Sequence, residues 1–311
     1  MKTNHTLHRR SSGLIAALML MLALGNASAA ADSPLLADSL TGSQFEYAVK
    51  RGDSIASVAA RFGQGAGVLA RDNGLKPDAR LKPGEKLRVD NRHIVAQNLP
   101  QGILINIPQR MLFYFENSQL IAAYPVALGR PDWPTPAGEF KVRSLERDKP
   151  WIVPVSIQEE MRREGKPVLT RVPPGAENPL GRHWIGLSLP GYGIHGTIAP
   201  TSIYGLRSHG CIRLHPEDVA DLFDRLATGD PGRLIYTPVL LARLPDGRLW
   251  LEVHRDAYKK GVDPLASVRA LAFAEKLDDL IDWDKAVAVI REQAGLAREI
   301  GLTPALQNKE K

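Results

Sequence analysis

The sequence predicts a mainly β chain, a β-sandwich or barrel, with a small α+β module in front of it and a helical tail behind. Three observations carry that expectation. Between Ile103 and Thr237, runs rich in branched and aromatic residues ("ILINIPQRMLFYF", "QLIAAYPVAL", "GEFKV", "HWIGLSL", "GRLIYT") alternate with turn-forming Asn117-Ser118, Gly129-Arg130-Pro131, "PDWPTPAG" and "LPGYG". Few helical runs interrupt these strands, which favours sheet packed on sheet. Residues 45–90 order themselves as strand, helix, helix, strand, and the segment after Val239 reads as a hairpin followed by two helices.

At the N-terminus, His8, Arg9 and Arg10 precede an unbroken apolar run from Leu14 to Leu24, and Ala27-Ser28-Ala29 supplies small residues for cleavage. That pattern reads as a signal peptide over residues 1–29. At about 1.5 Å per residue the run reaches about half of a ~30 Å hydrocarbon core, so no transmembrane anchor is expected. No cysteine lies near the cleavage site, which excludes lipid anchoring there. The Arg-Arg pair raises a twin-arginine route, but its flanks offer little support. Removing residues 1–29 takes away Lys2, Arg9 and Arg10 and no acid, so the formal charge of +6 falls to about +3. A nucleic-acid partner thereby loses its electrostatic basis.

Residues 30–44 read as a linker. In the following module Tyr47 and Val49 alternate as a strand, and Asp53 or Ser54 can cap a helix carrying Ile55, Val58, Ala59 and Phe62. Val68 and Leu69 open a second helix that ends near Asn73-Gly74, and Pro83-Gly84 turns the chain into a strand with Leu87 and Val89. In the β region, residues 147–181 look like a long irregular excursion of the kind that serves as a lid or binding loop. Pro216 to Ala227 is its main helix, with Val219, Leu222, Phe223 and Leu226 on one face. The extension from 239 to 311 opens with the hairpin "LLARLPDGRLWLEV" turning at Pro245-Asp246-Gly247. Asp263-Pro264 caps a helix with Leu265, Val268, Leu271 and Ala272 inward, and Val287, Ile290, Ala294 and Ala297 mark another. These helices are expected to pack on the β domain or on a partner. Gln307 to Lys311 look frayed.

Cys211 is the only cysteine in the chain. In an oxidising compartment it cannot form an internal disulfide, so it is either buried filler or a reagent. Its surroundings favour the reagent. His195 lies sixteen residues upstream, within reach of a hairpin, and an imidazole that takes the thiol proton produces a strong nucleophile. Gly196 can let its carbonyl, or another close acceptor, fix the His195 tautomer. Gly210 can let the amides of residues 210 and 211 point together at a developing oxyanion. Arg213 can hold a carboxylate by two hydrogen bonds, or form a structural ion pair with Glu217 or Asp218. His209 can orient the site, act as a second base or support the loop. His93, His183, His215 and His254 read as surface or packing histidines. A metal site from His195, His209, Cys211 and His215 repeats no known ligand spacing.

Two resemblances follow from these residues. Tyr47, Val49, Gly52-Asp53-Ser54-Ile55, Ala60, Phe62, Asn73, Leu75 and Leu81 through Pro83-Gly84 to Leu87 and Val89 resemble a LysM module over residues 45–90, departing from its usual pattern at Gly63 to Gly67. "HGT" at 195–197 and "SHGCIRL" at 208–214, with "TPAGEF", "NPLGRHWIGL" and "GYGIHG", resemble the L,D-transpeptidases with a YkuD-type catalytic domain, here over residues 99–238. The family often has asparagine at the position of Arg213. The resemblance implies Cys211 as acyl-accepting nucleophile, His195 as general base and acid, Ser208, His209 and Gly210 as the supporting loop, and no cofactor or metal. It implies peptidoglycan stem peptides and glycan as partners, with D-alanine released from a tetrapeptide at its diamino acid. The acceptor is then a stem amine, giving a 3-3 crosslink, or the terminal lysine of an outer-membrane lipoprotein. Water as acceptor makes the enzyme an L,D-carboxypeptidase or other wall hydrolase. A non-catalytic wall-binding protein is the alternative of a different class. The resemblance also implies thioester formation with carbapenems and, with the signal peptide, a periplasmic location.

Overall fold

The computed structural model describes Met1 and residues 35–302. The expected signal peptide and the expected frayed end at Gln307 to Lys311 lie outside the described residues.

The α+β module forms as its pattern dictates. Strands Gln44–Ala48 and Lys86–Asp90 pair antiparallel, with Tyr47 opposite Leu87. They enclose helices α1 (Ile55–Arg61) and α2 (Ala66–Asp72). Ser54 is the cap of α1, its hydroxyl accepting from the Ser57 amide at 3.1 Å, while Asp53 accepts from the Tyr47 hydroxyl instead. Val49, Ile55, Val58, Leu69, Leu87 and Val89 form its core.

The β region is one curled sheet of eight strands in the order Ile212–Arg213, Gly193–His195, His183–Leu187, Gly138–Arg147, Pro231–Ile235, Gly102–Asn106, Met111–Glu116 and Gln119–Pro125. Two neighbouring pairs are parallel, Gly193–His195 with Ile212–Arg213 and Pro231–Ile235 with Gly102–Asn106; the others are antiparallel. The run Gly102–Asn106 is buried throughout because the sheet is covered on both faces. Ile103 and Ile105 join a core shared with α4 (Pro216–Arg225), and Leu104 joins one shared with the extension's Leu240 and Trp250.

Two expectations need correction. The excursion at 147–181 is not irregular: strands Trp151–Ile152 and Arg171–Val172 pair antiparallel and carry α3 (Val155–Arg163) between them. Helix α3 buries none of its residues and is polar on average, so no core-facing run marks it for sequence reading. The stretch 30–44 is also more than a linker. Leu36–Ala37 pairs parallel with Val239–Arg243, and Leu40–Thr41 pairs with His93–Ile94.

The extension packs on the β region, as expected. Val239–Arg243 and Leu249–Val253 form the hairpin, flanked by Leu36–Ala37 and Arg298–Glu299. Helices α5 (Pro264–Ala274) and α6 (Trp283–Glu292) close its outer face through Val268, Leu271, Ala272, Ala286 and Val289. Among the described residues no helix is long and apolar enough to cross a membrane.

Glu252 of this hairpin, fully buried, joins the three parts of the chain. Its carboxylate accepts from His93 Nδ1 at 2.8 Å, His254 Nε2 at 2.8 Å, Gln109 Nε2 at 3.1 Å and the Ile94 amide at 2.6 Å. His93 Nε2 donates onward to Gly63 O of the α+β module at 2.8 Å. Gly63, at φ +67°, would place a Cβ 3.1 Å from Met111 Sδ and 3.3 Å from His93 Nε2. The beginning of the stretch that departs from the LysM pattern is therefore the surface that docks on the β region.

Candidate active site

The parallel pairing of Gly193–His195 with Ile212–Arg213 brings His195 opposite Arg213 and Ile194 opposite Ile212, so Cys211 enters the sheet edge beside the His195 strand. His195 is buried, and its Nδ1 lies 2.7 Å from Gly196 O. A carbonyl only accepts, so Nδ1 carries the proton and Nε2 keeps a free lone pair. Burial first, and the Arg213 charge next, push His195 down to about 3 from the ordinary 6.5. The ring lies against Trp184, centroids 5.8 Å apart and 21° from parallel. Trp184 reaches that place by crossing Gly193, where a Cβ would sit 2.4 Å from the indole.

Cys211 is half-buried. Desolvation raises its thiol above the ordinary value, and the Gly193 amide and Arg213 charge act the other way without overcoming it. Burial thus disfavours the charged form of both groups, thiolate and imidazolium alike. The thiol's hydrogen bond runs to Gly191 O at 3.8 Å, not to His195. Such contacts often tighten only when substrate binds.

The loop before Cys211 is held from both sides. The Ser208 hydroxyl donates to Cys211 O and accepts from the Gly210 amide at 3.1 Å. This corrects the expected pair of oxyanion donors, because the Gly210 N–H is already engaged; among the described residues the Cys211 N–H has no acceptor. Thr135 Oγ1 donates to Gly210 O at 2.7 Å. Gly210 sits at φ +104°, and a Cβ there would lie 2.7 Å from Tyr192 Cε1. Gly210→Ala is expected to displace the loop and slow acylation by a carbapenem about 100-fold, the scale of loss for an ångström of misplacement. Stopped-flow acylation, with thermal melting as the fold check, measures it.

Residues 100–239 match the YkuD L,D-transpeptidase catalytic domain, and residues 47–90 match the LysM domain. The chain is 30% identical over 269 residues to a Salmonella typhimurium protein named "Probable L,D-transpeptidase ErfK/SrfK", covering 83% of this chain and 86% of that one. The chain belongs to the YkuD-type L,D-transpeptidase family. It is also 32% identical over 176 residues to the Escherichia coli protein named "Probable L,D-transpeptidase YbiS", covering 56% of this chain and 57% of that one. Among solved structures, the catalytic domain of the E. faecium L,D-transpeptidase acylated by ertapenem aligns at 21% identity and a TM-score of 0.34, over 43% of this chain and 98% of that one. A LysM domain joined to a transpeptidase domain implies peptidoglycan binding.

The other predicted site residues of this L,D-transpeptidase fall into place as follows. His209 turns away from Cys211: its Nε2 bonds to Glu160 of α3, and its ring meets Trp133 edge-on at 5.2 Å. Glu160 also accepts from Arg130 at 3.0 Å, and these bonds, that of His209 first, hold its carboxyl below the usual range. Arg213 makes no ion pair among the described residues, which corrects the structural alternative; Glu217 pairs instead with Arg61 of α1 at 3.1 Å. The Arg213 Nε is buried without a hydrogen-bond partner. His215 and Pro216 start α4; among the described residues no group of three or more histidine, cysteine or acidic side chains is placed to hold a metal.

Sequence reasoning missed Trp184, Thr135 and Glu160 as parts of the site. The first two lie inside quoted motifs, "NPLGRHWIGL" and "TPAGEF", without a role; Glu160 carried no signal. Helix α3 is fastened to the Cys211 loop through Glu160, and its first residue, Val155, is exposed, as is Ile152 of the strand before it. Glu160→Gln removes charge-assisted bonds, each worth about 1.5–3 kcal/mol when intact. It is expected to raise amide exchange across 155–163 about tenfold without altering exchange in the central sheet. Hydrogen-exchange mass spectrometry reads both regions together.

Proposed function

We propose that this enzyme cleaves the stem tetrapeptide of peptidoglycan on the carbonyl side of its third, diamino-acid residue and transfers the acyl group to an amine. The observation that carries the reading is the convergence of Cys211 with a His195 whose tautomer Gly196 O fixes, leaving Nε2 free to accept. Cys211 Sγ attacks the carbonyl carbon while its proton passes to His195 Nε2. The tetrahedral oxyanion accepts from the Cys211 amide. As the C–N bond breaks, His195 returns the proton to the departing D-alanine and a thioester remains. An acceptor amine then attacks the thioester, loses a proton to His195 and expels the thiolate, which takes that proton back.

Burial of His195 supports a base that stays neutral at working pH, and a raised thiol supports proton transfer during attack rather than a preformed thiolate. Arg213, buried at its Nε and free of carboxylate partners among the described residues, is assigned to a carboxylate of the stem peptide. The acceptor amine belongs to a second stem, giving a 3-3 crosslink, or to the C-terminal lysine of an outer-membrane lipoprotein. The apolar run at Leu14 to Leu24 and the small residues at Ala27 to Ala29 support export to the periplasm.

Incubation of residues 30–311 with disaccharide-tetrapeptide, followed by mass spectrometry, tests the reading. Dimers that have lost one D-alanine are expected, and a tripeptide ending in lysine, added as competitor, reveals a lipoprotein-type acceptor. Tripeptide alone makes the enzyme an L,D-carboxypeptidase, and products that persist in Cys211→Ala sink the thioester mechanism.

A further inference from the structure

We propose that Tyr258, from the loop that follows the C-terminal hairpin, acts through Thr135 as a positioning residue that aims the Cys211 amide at the oxyanion. The inference rests on the acyl-transfer reading above and assigns a task to the extension that lies beyond the matched catalytic domain, residues 100–239.

Gly210 C=O and Cys211 N–H are the two ends of a planar trans peptide, so the direction of one sets the direction of the other. Thr135 Oγ1 pins the carbonyl end at 2.7 Å. The N–H end is thereby turned the opposite way, free of any acceptor among the described residues. Since Ser208 occupies the Gly210 N–H, the Cys211 N–H is the amide of this pair left to meet a developing charge.

Thr135 is itself fixed. It is buried, and its hydroxyl spends its one hydrogen on Gly210 O while accepting from the Gly129 amide at 2.9 Å. The Tyr258 hydroxyl clasps both ends of the turn that carries it, donating to Gly129 O at 2.8 Å and accepting from the Thr135 amide at 3.2 Å. Gly129 permits the approach: a Cβ there would lie 2.2 Å from Trp133 O and 3.0 Å from Gly210 Cα.

Tyr258 is held in turn by its own loop. Its amide donates to the Tyr236 hydroxyl at 2.8 Å, and the two rings stack with centroids 5.6 Å apart. The Asp256 carboxylate accepts from Tyr236 at 2.6 Å and from the amides of Lys260 and Gly261 at 2.9 and 2.8 Å. A ring that only filled space would serve as well without its hydroxyl. Here the hydroxyl makes two bonds to the backbone of the very turn that holds the Gly210 carbonyl.

The test compares two reactions of the same sulfur in the purified protein. Acylation by a carbapenem passes through an oxyanion; alkylation by iodoacetamide displaces iodide and forms none. Thr135→Val is expected to slow acylation about 100-fold and Tyr258→Phe about tenfold, with alkylation of both within about twofold of the parent. With tetrapeptide as substrate the loss falls on kcat, while KM stays within about twofold. Thr135→Ser keeps the hydroxyl and returns acylation to within about threefold of the parent. Acylation at the parent rate in Tyr258→Phe and Thr135→Val, or equal slowing of acylation and alkylation, overturns the proposal. If Thr135→Val melts below the assay temperature, Tyr258→Phe and Thr135→Ser decide. A parent protein that is alkylated but never acylated overturns the acyl-transfer reading itself, and the positioning role with it.

Discussion

Glu252→Ala is expected to lower the stability of the protein by about 3–5 kcal/mol, the cost of removing one partner from a buried charged network. Four donors would lose their acceptor at once: His93 Nδ1, His254 Nε2, Gln109 Nε2 and the Ile94 amide. His93 is fully buried, so its Nδ1 would be left facing the vacated space with no water to replace the lost carboxylate. At about 2–4 °C per kcal/mol, the melting temperature should drop about 10 °C. Because the network joins the LysM module to the hairpin, early proteolysis should fall between residues 63 and 99. Calorimetry and limited proteolysis check the two consequences separately.

The same network sets an acid limit. Burial alone would raise Glu252, but the interaction with His93 and the bonds from both histidines hold it down to about 2, against an ordinary 4.5. The unfolded chain therefore binds the extra proton in that interval, and stability present above pH 4.5 is lost as pH falls toward 2. His195 adds to the trend at milder pH. With its folded value near 3 and its ordinary value 6.5, unfolding gains a proton across that window, so stability falls as pH falls through it.

His195→Asn is expected to reduce carbapenem acylation by about 10³-fold, the scale of losing a positioned general base. The pH profile distinguishes this base from an ordinary histidine. Neutral imidazole is the accepting form, and a value near 3 keeps it neutral throughout pH 5 to 7. Acylation should therefore hold its rate between pH 7 and pH 5, while iodoacetamide alkylation, which follows thiolate, should climb about tenfold per pH unit across the same range, because burial holds the thiol above its ordinary value of 9.0. An acid limb centred near 6.5 would show that His195 is solvated or paired with thiolate. Stopped-flow acylation across that range settles the matter in one series.

The parts of this protein that sequence reading reached are those with local signals. Alternation at Tyr47 and Val49, a cap at Ser54, and the turn at Pro83-Gly84 each act within a few residues, and the LysM module follows from them. The approach of the Cys211 loop to the His195 strand was legible because strand-forming residues flank both and because glycine stands next to each. Gly196 supplies the carbonyl acceptor foreseen for it. What escaped depends on distant partners. Helix α3 rests on the Cys211 loop through Glu160 and sends no side chain into a core that would announce it. His93 and Glu252 are 159 positions apart, and Thr135 meets Gly210 across 75. Gly210 offered flexibility to the eye, yet its amide is consumed by the Ser208 hydroxyl, a contact no composition or period encodes.

The central claim is a covalent bond between Cys211 and the acyl part of a stem tetrapeptide. Intact-protein mass spectrometry after rapid acid quench, with free D-alanine assayed in the same sample, tests it most directly. The account predicts a mass gain equal to the tripeptide acyl group, one D-alanine released per adduct, and neither product in Cys211→Ala. An unmodified parent protein that still releases D-alanine, or an adduct that survives in Cys211→Ala, would contradict it.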